Sequence, residues 1–323
     1  MLGRFYVPDG IDLVNLGDLR VFMLLKDNLY NLCVHLGARR YSLAKHYADV
    51  GQVGYPPSPA ARSILDQTKD PKFCLYMILD HFLRHDLEFA FLDVGSFVGD
   101  VGLRYANFFR TLGVDRHVHC FDPTLSGQLV PYNIEINGLG RYVSYHPVAV
   151  SGVNGCMTFF ERREHSDASS AVDSPGGIAN SLVGSIRLSD FLRQHQIRNA
   201  FIKLDTENQE PSILADIGSF LHESVNAIAF ECQGRDEGVF RIIAELSRTH
   251  YCFDVGYVPK PFLCQRISEE PGAMEAFQRM VIKRPYGYTD VLVLSRKTPG
   301  VMDLVRRLSA LETRPVGYSL VFD

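Results

Sequence analysis

The sequence predicts an α/β fold with a doubly wound, mostly parallel sheet. Three observations lead to this prediction. Apolar runs of strand length alternate with amphipathic helical stretches from residue 89 onward, which is the pattern of βαβ units. Two of these runs end in an acidic residue, at Asp93 and at Asp122. The chain has 323 residues, of which 46% are hydrophobic, so it is long enough to bury the core of such a sheet.

The first segment, residues 11–50, is predicted to be helical because its apolar residues recur every three or four positions. These residues are Leu13, Leu16, Leu19, Phe22 and Leu25, followed by Leu29, Leu32 and Val34. The stretch 55–59 contains three prolines, which cannot continue a helix, and is the predicted linker. We therefore predict an N-terminal helical extension over residues 1–60 and a catalytic domain over residues 61–323. The extension would either cover the cleft that binds the substrate or form a homodimer surface.

The predicted catalytic domain begins with a helix near residues 71–84. Seven strands are predicted after it, at 89–94, 117–121, 142–149, 200–204, 227–231, 252–258 and 290–294. Helices are predicted at 98–112, 126–136 and 238–248. Two irregular stretches, 164–180 and 259–288, are predicted to be loops, and the second should contain a short helix. Ligands of open α/β sheets bind at the carboxyl edge, so we expect these loops to determine acceptor specificity.

Composition narrows the function classes. The formal net charge is -4, and the basic residues do not form the patch that binding to a nucleic acid backbone requires. Seven cysteines without a Cys-x-x-Cys pair predict reduced thiols and a cytoplasmic protein. No stretch approaches the roughly 18 apolar residues of a membrane span, and the first residues lack the pattern of a secretion signal. We therefore expect no nucleic acid partner and no membrane span.

The first glycine turn points to a particular cofactor. It has the form Asp93-x-Gly95-x-x-x-Gly99, which differs from the Gly-x-Gly-x-x-Gly turn that binds the pyrophosphate of a dinucleotide. This spacing is the form used for S-adenosylmethionine, whose cationic amino acid end suits an acidic turn. We expect Gly95, Ser96 and Gly99 to contact the methionine end, with Asp93 beneath them.

The second acidic site follows the next predicted strand. Asp122 is expected to accept hydrogen bonds from both ribose hydroxyls of the cofactor, as the acid at this position does in nucleoside-binding folds. Pro123, directly after it, is expected to border the adenine. Ala149, after the third strand, is a predicted further wall of the adenine pocket.

A third segment gathers acids at the end of a buried strand, at Asp205, Glu207 and Glu210. Like charges at such a position raise one another's pKa values and cost stability, which favours a functional role. We assign Asp205, Glu207 and His165 as candidate catalytic residues, with Asp205 or His165 as the general base. A second interpretation is that Asp205, Glu207 and Glu231 hold a divalent cation such as Mg²⁺, which prefers oxygen ligands. Glu207 and Glu210 have a second explanation, because acids at the N-terminus of a helix interact favourably with the helix macrodipole.

Together these segments resemble the FkbM family of S-adenosylmethionine-dependent methyltransferases. The matching segments are 92–99, 121–123 and 203–210, and the resemblance covers roughly residues 88–235. It implies the Rossmann-like class I methyltransferase fold, with a mostly parallel, seven-stranded, twisted sheet. Asn208 stands where the family has glycine, and Asp122 where it has glutamate. Asparagine tolerates left-handed backbone angles, so we expect the turn at Asn208 to be kept.

The resemblance also implies a reaction, the O-methylation of a hydroxyl on a sugar, a glycan or a secondary metabolite. The acceptor would be a small molecule or a glycan. Two other functions remain open. One is a nucleotide-sugar glycosyltransferase that uses Asp205-x-Glu207 as its metal clamp. The other is a non-catalytic interaction protein that keeps a cofactor-shaped fold.

Overall fold

The computed structural model describes residues 11–16, 19–24, 73–161, 178–255, 264–270, 272–284 and 287–311. Its strands are β1 (Ile11–Leu16), β2 (Leu19–Leu24), β3 (Ala90–Val94), β4 (Val118–Phe121), β5 (Val143–His146), β6 (Ala149–Ser151), β7 (Gly155–Glu161), β8 (Ile178–Arg187), β9 (Ala200–Leu204), β10 (Val225–Gln233), β11 (His250–Asp254), β12 (Gln265–Arg266) and β13 (Tyr288–Ser295). Its helices are α1 (Phe73–Arg84), α2 (Asp100–Leu112), α3 (Val130–Ile136), α4 (Leu188–Gln194), α5 (Glu210–Asp216), α6 (Gly218–Glu223), α7 (Glu237–Ser247), α8 (Ala273–Ile282) and α9 (Val301–Leu311).

The main sheet has the strand order β12-β11-β13-β10-β9-β3-β4-β5. The five consecutive strands from β10 to β5 are parallel to one another. Strand β13 is antiparallel to both of its neighbours, β10 and β11. This mostly parallel α/β sheet confirms the predicted fold class. The chain runs outward from β3 through β4 to β5, and then resumes on the other side of β3 with β9. The strand order therefore reverses between β3 and β9, which is the place where ligands bind in such sheets.

Helices cover both faces because the buried strands alternate their side chains between them. On β3, Phe91 belongs to one hydrophobic cluster and Leu92 to the other, and on β9 Phe201 and Ile202 divide in the same way. The first cluster includes residues of α1, α2 and α9, and the second includes residues of α4, α5, α7 and α8. Strands buried on both faces need continuous apolar runs, which is the pattern that revealed them in the sequence.

The structure changes three details of the predicted architecture. The strand expected at 142–149 ends at His146, and Ala149–Ser151 instead forms β6 in a small sheet of order β6-β8-β7. The main sheet has eight strands instead of seven, because Gln265–Arg266 pairs with β11. Part of the predicted loop 164–180 is strand, since β8 begins at Ile178. The predicted short helix before the last strand is confirmed as α8.

The helical prediction is wrong for residues 11–16 and 19–24. These residues form an antiparallel hairpin in which Leu16 pairs with Leu19 and Ile11 with Leu24. Leu19, Val21 and Phe22 are buried in the cluster that includes α2, so packing against the domain outweighed local helical spacing. Residues 25–60 lie outside the described residues, so the boundary near residue 60 and the dimer surface stay predictions.

Among the described residues, no helix has both the length and the apolar character that a transmembrane segment needs.

Candidate functional site

The loops after β3 and β9 meet at the point where the strand order reverses. The Asp205 amide donates to the Val94 carbonyl, with 3.0 Å between N and O, so the second loop continues the pairing of the two strands. The Gly95 and Ser96 amides both donate to the Phe121 carbonyl at the end of β4, each over 3.0 Å. Residues from three neighbouring strand ends are therefore joined at one edge of the sheet.

Gly95 is required by the close approach of these two loops. Its φ is +74°, and a Cβ placed on it would lie 1.7 Å from the Asp205 carbonyl oxygen. Gly99 also has a left-handed φ, of +81°, at the residue that precedes α2. The turn between the two glycines therefore depends on residues without a Cβ, as the sequence pattern predicted.

Asp93 lies beneath this turn, as predicted, and its side chain is fully buried. Its Oδ2 accepts a hydrogen bond from the Gly102 amide over 2.8 Å, in the first turn of α2. Burial raises the pKa of Asp93 to about 6, although the nearby Lys203 ammonium acts in the opposite direction. The carboxylate holds α2 against the strand end and supports the backbone on which a cofactor would rest.

Lys203 connects the parts of this site, a role that sequence reasoning missed. It is the register partner of Asp93 across β3 and β9. Its Nζ donates to the Gly95 carbonyl over 2.9 Å and lies 3.5 Å from Asp93 Oδ1 and 3.2 Å from Asp205 Oδ2. The available signal was a lysine within the apolar run 200–204, because a buried lysine requires acidic or carbonyl partners.

Asp122 is buried at the end of β4 and engaged by its own loop. Its Oδ2 accepts from the Phe97 amide over 2.7 Å, and its Oδ1 accepts from the Thr124 amide over 2.8 Å and from the Thr124 hydroxyl. Burial raises its pKa, while these hydrogen bonds lower it. A carboxylate has about four acceptor positions, so one remains for a ligand. The predicted contact with both ribose hydroxyls stays a prediction.

The other predicted cofactor residues differ in exposure. Ser96 is buried in the glycine turn, and its Oγ makes no hydrogen bond within the described residues. Pro123 is half-buried directly after Asp122. Ala149 is buried in β6, the first strand of the small sheet. A buried hydroxyl without a partner is costly, so Ser96 Oγ marks a position at which a ligand atom would be stabilising.

Three carboxylates come together beside this turn. One oxygen from each of Asp205, Glu207 and Glu231 lies within 4.8 Å of the others, which is the juxtaposition that the metal interpretation predicts. Asp290 adds a fourth acid as the register partner of Glu231 on β13. Burial raises the pKa of Glu231 to about 9, and the charges of Asp205, Glu207 and Asp290 add to this effect. Burial and the neighbouring acids therefore favour the protonated form of Glu231.

The loop that carries Glu207 has a left-handed backbone. Asn208 has a φ of +80°, which confirms the left-handed backbone predicted at this residue. Glu207 has a φ of +52°, an uncommon conformation for a residue with a long side chain. Glu210 is buried and accepts hydrogen bonds from the Thr206 amide over 2.6 Å and from its hydroxyl over 2.9 Å. The Glu210 carboxylate therefore stabilises the loop through its hydrogen bonds to Thr206.

His165, the alternative base, lies outside the described residues. Most of the predicted acceptor loop 164–180 lies outside them as well, and so do residues 259–263 of the second loop. The structure therefore brings together the three segments of the motif and leaves the role of His165 as a prediction.

Comparison with known proteins gives fold neighbours only. No family model and no curated protein matches the sequence. A precorrin-6y C5,15-methyltransferase from Geobacter metallireducens has a TM-score of 0.33 and 8% identity, covering 71% of this chain and 88% of that one. The METTL16 methyltransferase domain has a TM-score of 0.35 and 11% identity, covering 78% and 90%. The S-adenosylhomocysteine-bound methyltransferase PaMTH1 from Podospora anserina has a TM-score of 0.34 and 8% identity, covering 84% and 96%.

The raised pKa of Glu231 predicts a pH-dependent stability. Between the ordinary pKa of 4.5 and about 9, the folded protein holds a proton that the unfolded chain has released. Stability therefore falls as pH rises through this window, by up to about 1.4 kcal/mol per pH unit. Glu231→Gln removes the titration, so the variant is expected to gain stability over the wild type from pH 5 to pH 9. Urea unfolding in the presence of EDTA measures the difference.

Glu223→Gln is the matched control, because Glu223 is exposed at the end of α6. Its substitution should change the free energy of unfolding by no more than about 0.5 kcal/mol. A Glu231→Gln difference that does not change with pH would show that burial does not raise the pKa of Glu231 in the folded protein.

Proposed function

We propose that this protein is an S-adenosylmethionine-dependent methyltransferase of the FkbM type that methylates a hydroxyl group. The observation that carries the proposal is the glycine turn at the reversal point of the sheet, where Gly95 packs on the Asp205 carbonyl and Lys203 joins the two loops. The acids around this turn suit a cationic sulfonium ligand better than a phosphate.

The described residues offer positions that fit the cofactor. The orphaned Ser96 Oγ lies in the turn expected beneath the methionine end. The remaining acceptor position of the Asp122 carboxylate suits a ribose hydroxyl. Pro123 and Ala149 are proposed to border the adenine.

The cofactor, when bound, supplies a methyl group on a positively charged sulfur. The chain must then hold the acceptor hydroxyl in line with the methyl group and remove one proton. Correct positioning is worth on the order of 7 to 11 kcal/mol at best. We assign proton removal to Asp205, because its side chain is about one third exposed at the strand end. Glu231 is less suited to accept this proton, because burial and the neighbouring acids raise its pKa and favour its protonated form.

We propose a carbohydrate hydroxyl as the acceptor. A sugar presents several hydroxyl groups to a site lined by carboxylates, and the acids beside the turn can accept hydrogen bonds from hydroxyls that are not methylated. One protonated acid, Glu231, adds a donor for a ring or hydroxyl oxygen.

Calorimetric titration with S-adenosylhomocysteine tests the proposal directly. We expect binding with a micromolar Kd and no binding of a UDP-sugar in the presence of Mg²⁺. Binding of the UDP-sugar alone would overturn the proposal in favour of a nucleotide-sugar glycosyltransferase. That alternative is supported by the convergence of Asp205, Glu207 and Glu231, which are oxygen ligands of the kind a divalent cation prefers.

Asp205→Asn is expected to lower kcat by about 10² to 10⁴ and to leave the Kd for S-adenosylhomocysteine within a factor of three. The amide keeps the size of the side chain but cannot take the acceptor proton. Transfer of a radiolabelled methyl group to a panel of monosaccharides measures kcat. Asp190→Asn is the control, since Asp190 pairs with Arg193 on α4 outside this site. An equal loss of affinity and turnover would make Asp205 a binding residue only.

A further inference from the structure

Two asparagines one turn apart hold the strand β2: Asn133 lies within α3, and Asn137 is the C-terminal cap of that helix. The Asn137 side chain accepts from the Arg20 amide over 2.9 Å and donates to the Arg20 carbonyl over 2.6 Å. The Asn133 side chain accepts from the Phe22 amide over 2.6 Å and donates to the Phe22 carbonyl over 3.3 Å. Four residues of helix span about 6 Å, and two residues of strand span about 6.6 Å. The side-chain amides therefore match the spacing of the backbone groups of β2.

Asn133 also reaches the glycine turn. Its Nδ2 donates to the Val98 carbonyl over 3.0 Å, one residue before Gly99. The Asn137 Nδ2 donates its second hydrogen bond to the Asn133 carbonyl, which lies one helical turn earlier. Asn133 is fully buried, so water cannot replace any of its hydrogen bonds. Of the two asparagines, only Asn133 bonds to both the hairpin and the turn.

We propose that Asn133 is a positioning residue that couples docking of the N-terminal hairpin to the shape of the Gly95–Gly99 turn. Its consequence for cofactor affinity rests on the proposed function of that turn. When the hairpin leaves, Asn133 loses the partners that fix its side-chain rotamer, and the bond to the Val98 carbonyl is weakened. Coupling is reciprocal, so occupation of the turn should stabilise the docked hairpin. The hairpin thereby becomes part of the support of the cofactor site instead of a separate extension.

The experiment compares Asn133→Ala with Asn137→Ala in the full chain by amide hydrogen exchange without ligand. Each variant removes a pair of bonds to β2, so both should exchange faster at residues 20–22. Loss of the Val98 bond in Asn133→Ala should accelerate exchange at the Gly99 amide, which donates to the Ser96 carbonyl over 2.6 Å, by fivefold or more. Asn137→Ala loosens the hairpin without touching the turn, so it should accelerate exchange at the Gly99 amide by a smaller factor. A turn that is unchanged in Asn137→Ala while residues 20–22 exchange faster, or unchanged in Asn133→Ala, would overturn the proposal.

Asn133→Asp is a second variant in case the alanine form does not fold. It keeps the acceptor for the Phe22 amide and removes the donor to the Val98 carbonyl, so the turn should exchange faster while the Phe22 amide stays protected. Titration with S-adenosylhomocysteine adds the functional readout, with a five- to tenfold weaker Kd expected for Asn133→Ala and a smaller weakening for Asn137→Ala. Failure of the wild type to bind would refute the proposed function, whereas the exchange data alone decide the coupling.

Discussion

Gly95→Ala is expected to abolish binding of S-adenosylhomocysteine and to destabilise the domain by more than about 4 kcal/mol. The added Cβ would lie 1.7 Å from the Asp205 carbonyl oxygen, a backbone atom that cannot rotate away. The loops after β3 and β9 would have to separate, which would break the hydrogen bond from Lys203 to the Gly95 carbonyl. Urea unfolding and calorimetric titration measure the two losses.

Gly113→Ala separates the contribution of the backbone angle from that of the clash. Gly113 has a φ of +68° at the end of α2, and a Cβ there would meet no atom within 4 Å. Its substitution should cost only the left-handed conformation, about 1 to 2 kcal/mol, and should leave binding unchanged. If Gly95→Ala and Gly113→Ala had the same effect on both measurements, close approach of the loops would not explain the glycine.

Lys203→Met is expected to lower the free energy of unfolding by about 3 to 5 kcal/mol at pH 8 and to weaken binding of S-adenosylhomocysteine at least tenfold. The substitution leaves the fully buried Asp93 carboxylate without its neighbouring cation and frees the Gly95 carbonyl. Methionine fills most of the volume of lysine, so the loss reports on charge and hydrogen bonding rather than on a cavity.

The pH dependence of this variant follows from Asp93. Its pKa is already raised to about 6 by burial while Lys203 opposes that shift, so removing the ammonium raises the pKa further. A carboxyl with a raised folded pKa binds a proton that the unfolded chain has released above the ordinary value of 3.8. The variant should therefore lose stability as pH rises from 5 to 8, more steeply than the wild type.

Asp93→Asn in the Lys203→Met background is the matched control. It removes the buried charge, and it should restore part of the lost stability at pH 8 and remove the added pH dependence. A double variant no more stable than Lys203→Met would show that the ion pair is not the source of the loss.

Much of the fold and part of the site could be predicted from the sequence. Strands of a buried parallel sheet are continuous apolar runs, so β3, β4 and β9 were found within one residue at each end. The glycine spacing revealed the turn, because only glycine tolerates the close approach at Gly95. Asn208 was also predictable, since a left-handed angle depends on the residue itself more than on its neighbours.

The hairpin shows where local pattern fails. Apolar residues three apart suit a helix, but β1 and β2 pair as an antiparallel hairpin. The strand conformation of β2 is stabilised by tertiary contacts. Asn133 and Asn137 satisfy the backbone of β2 from 111 or more residues away in sequence, and no local preference of residues 19–24 carries that information.

The sequence by itself determined the strands of the sheet and the acidic glycine turn, because strand length, glycine and asparagine are constrained by the local backbone. Only the tertiary structure decided where the strand order reverses, that Lys203 faces Asp93, and that Asn133 ties the hairpin to the turn. These contacts join residues on separate strands and helices. Their energies depend on sheet register and on burial, which are set only when the whole chain has packed.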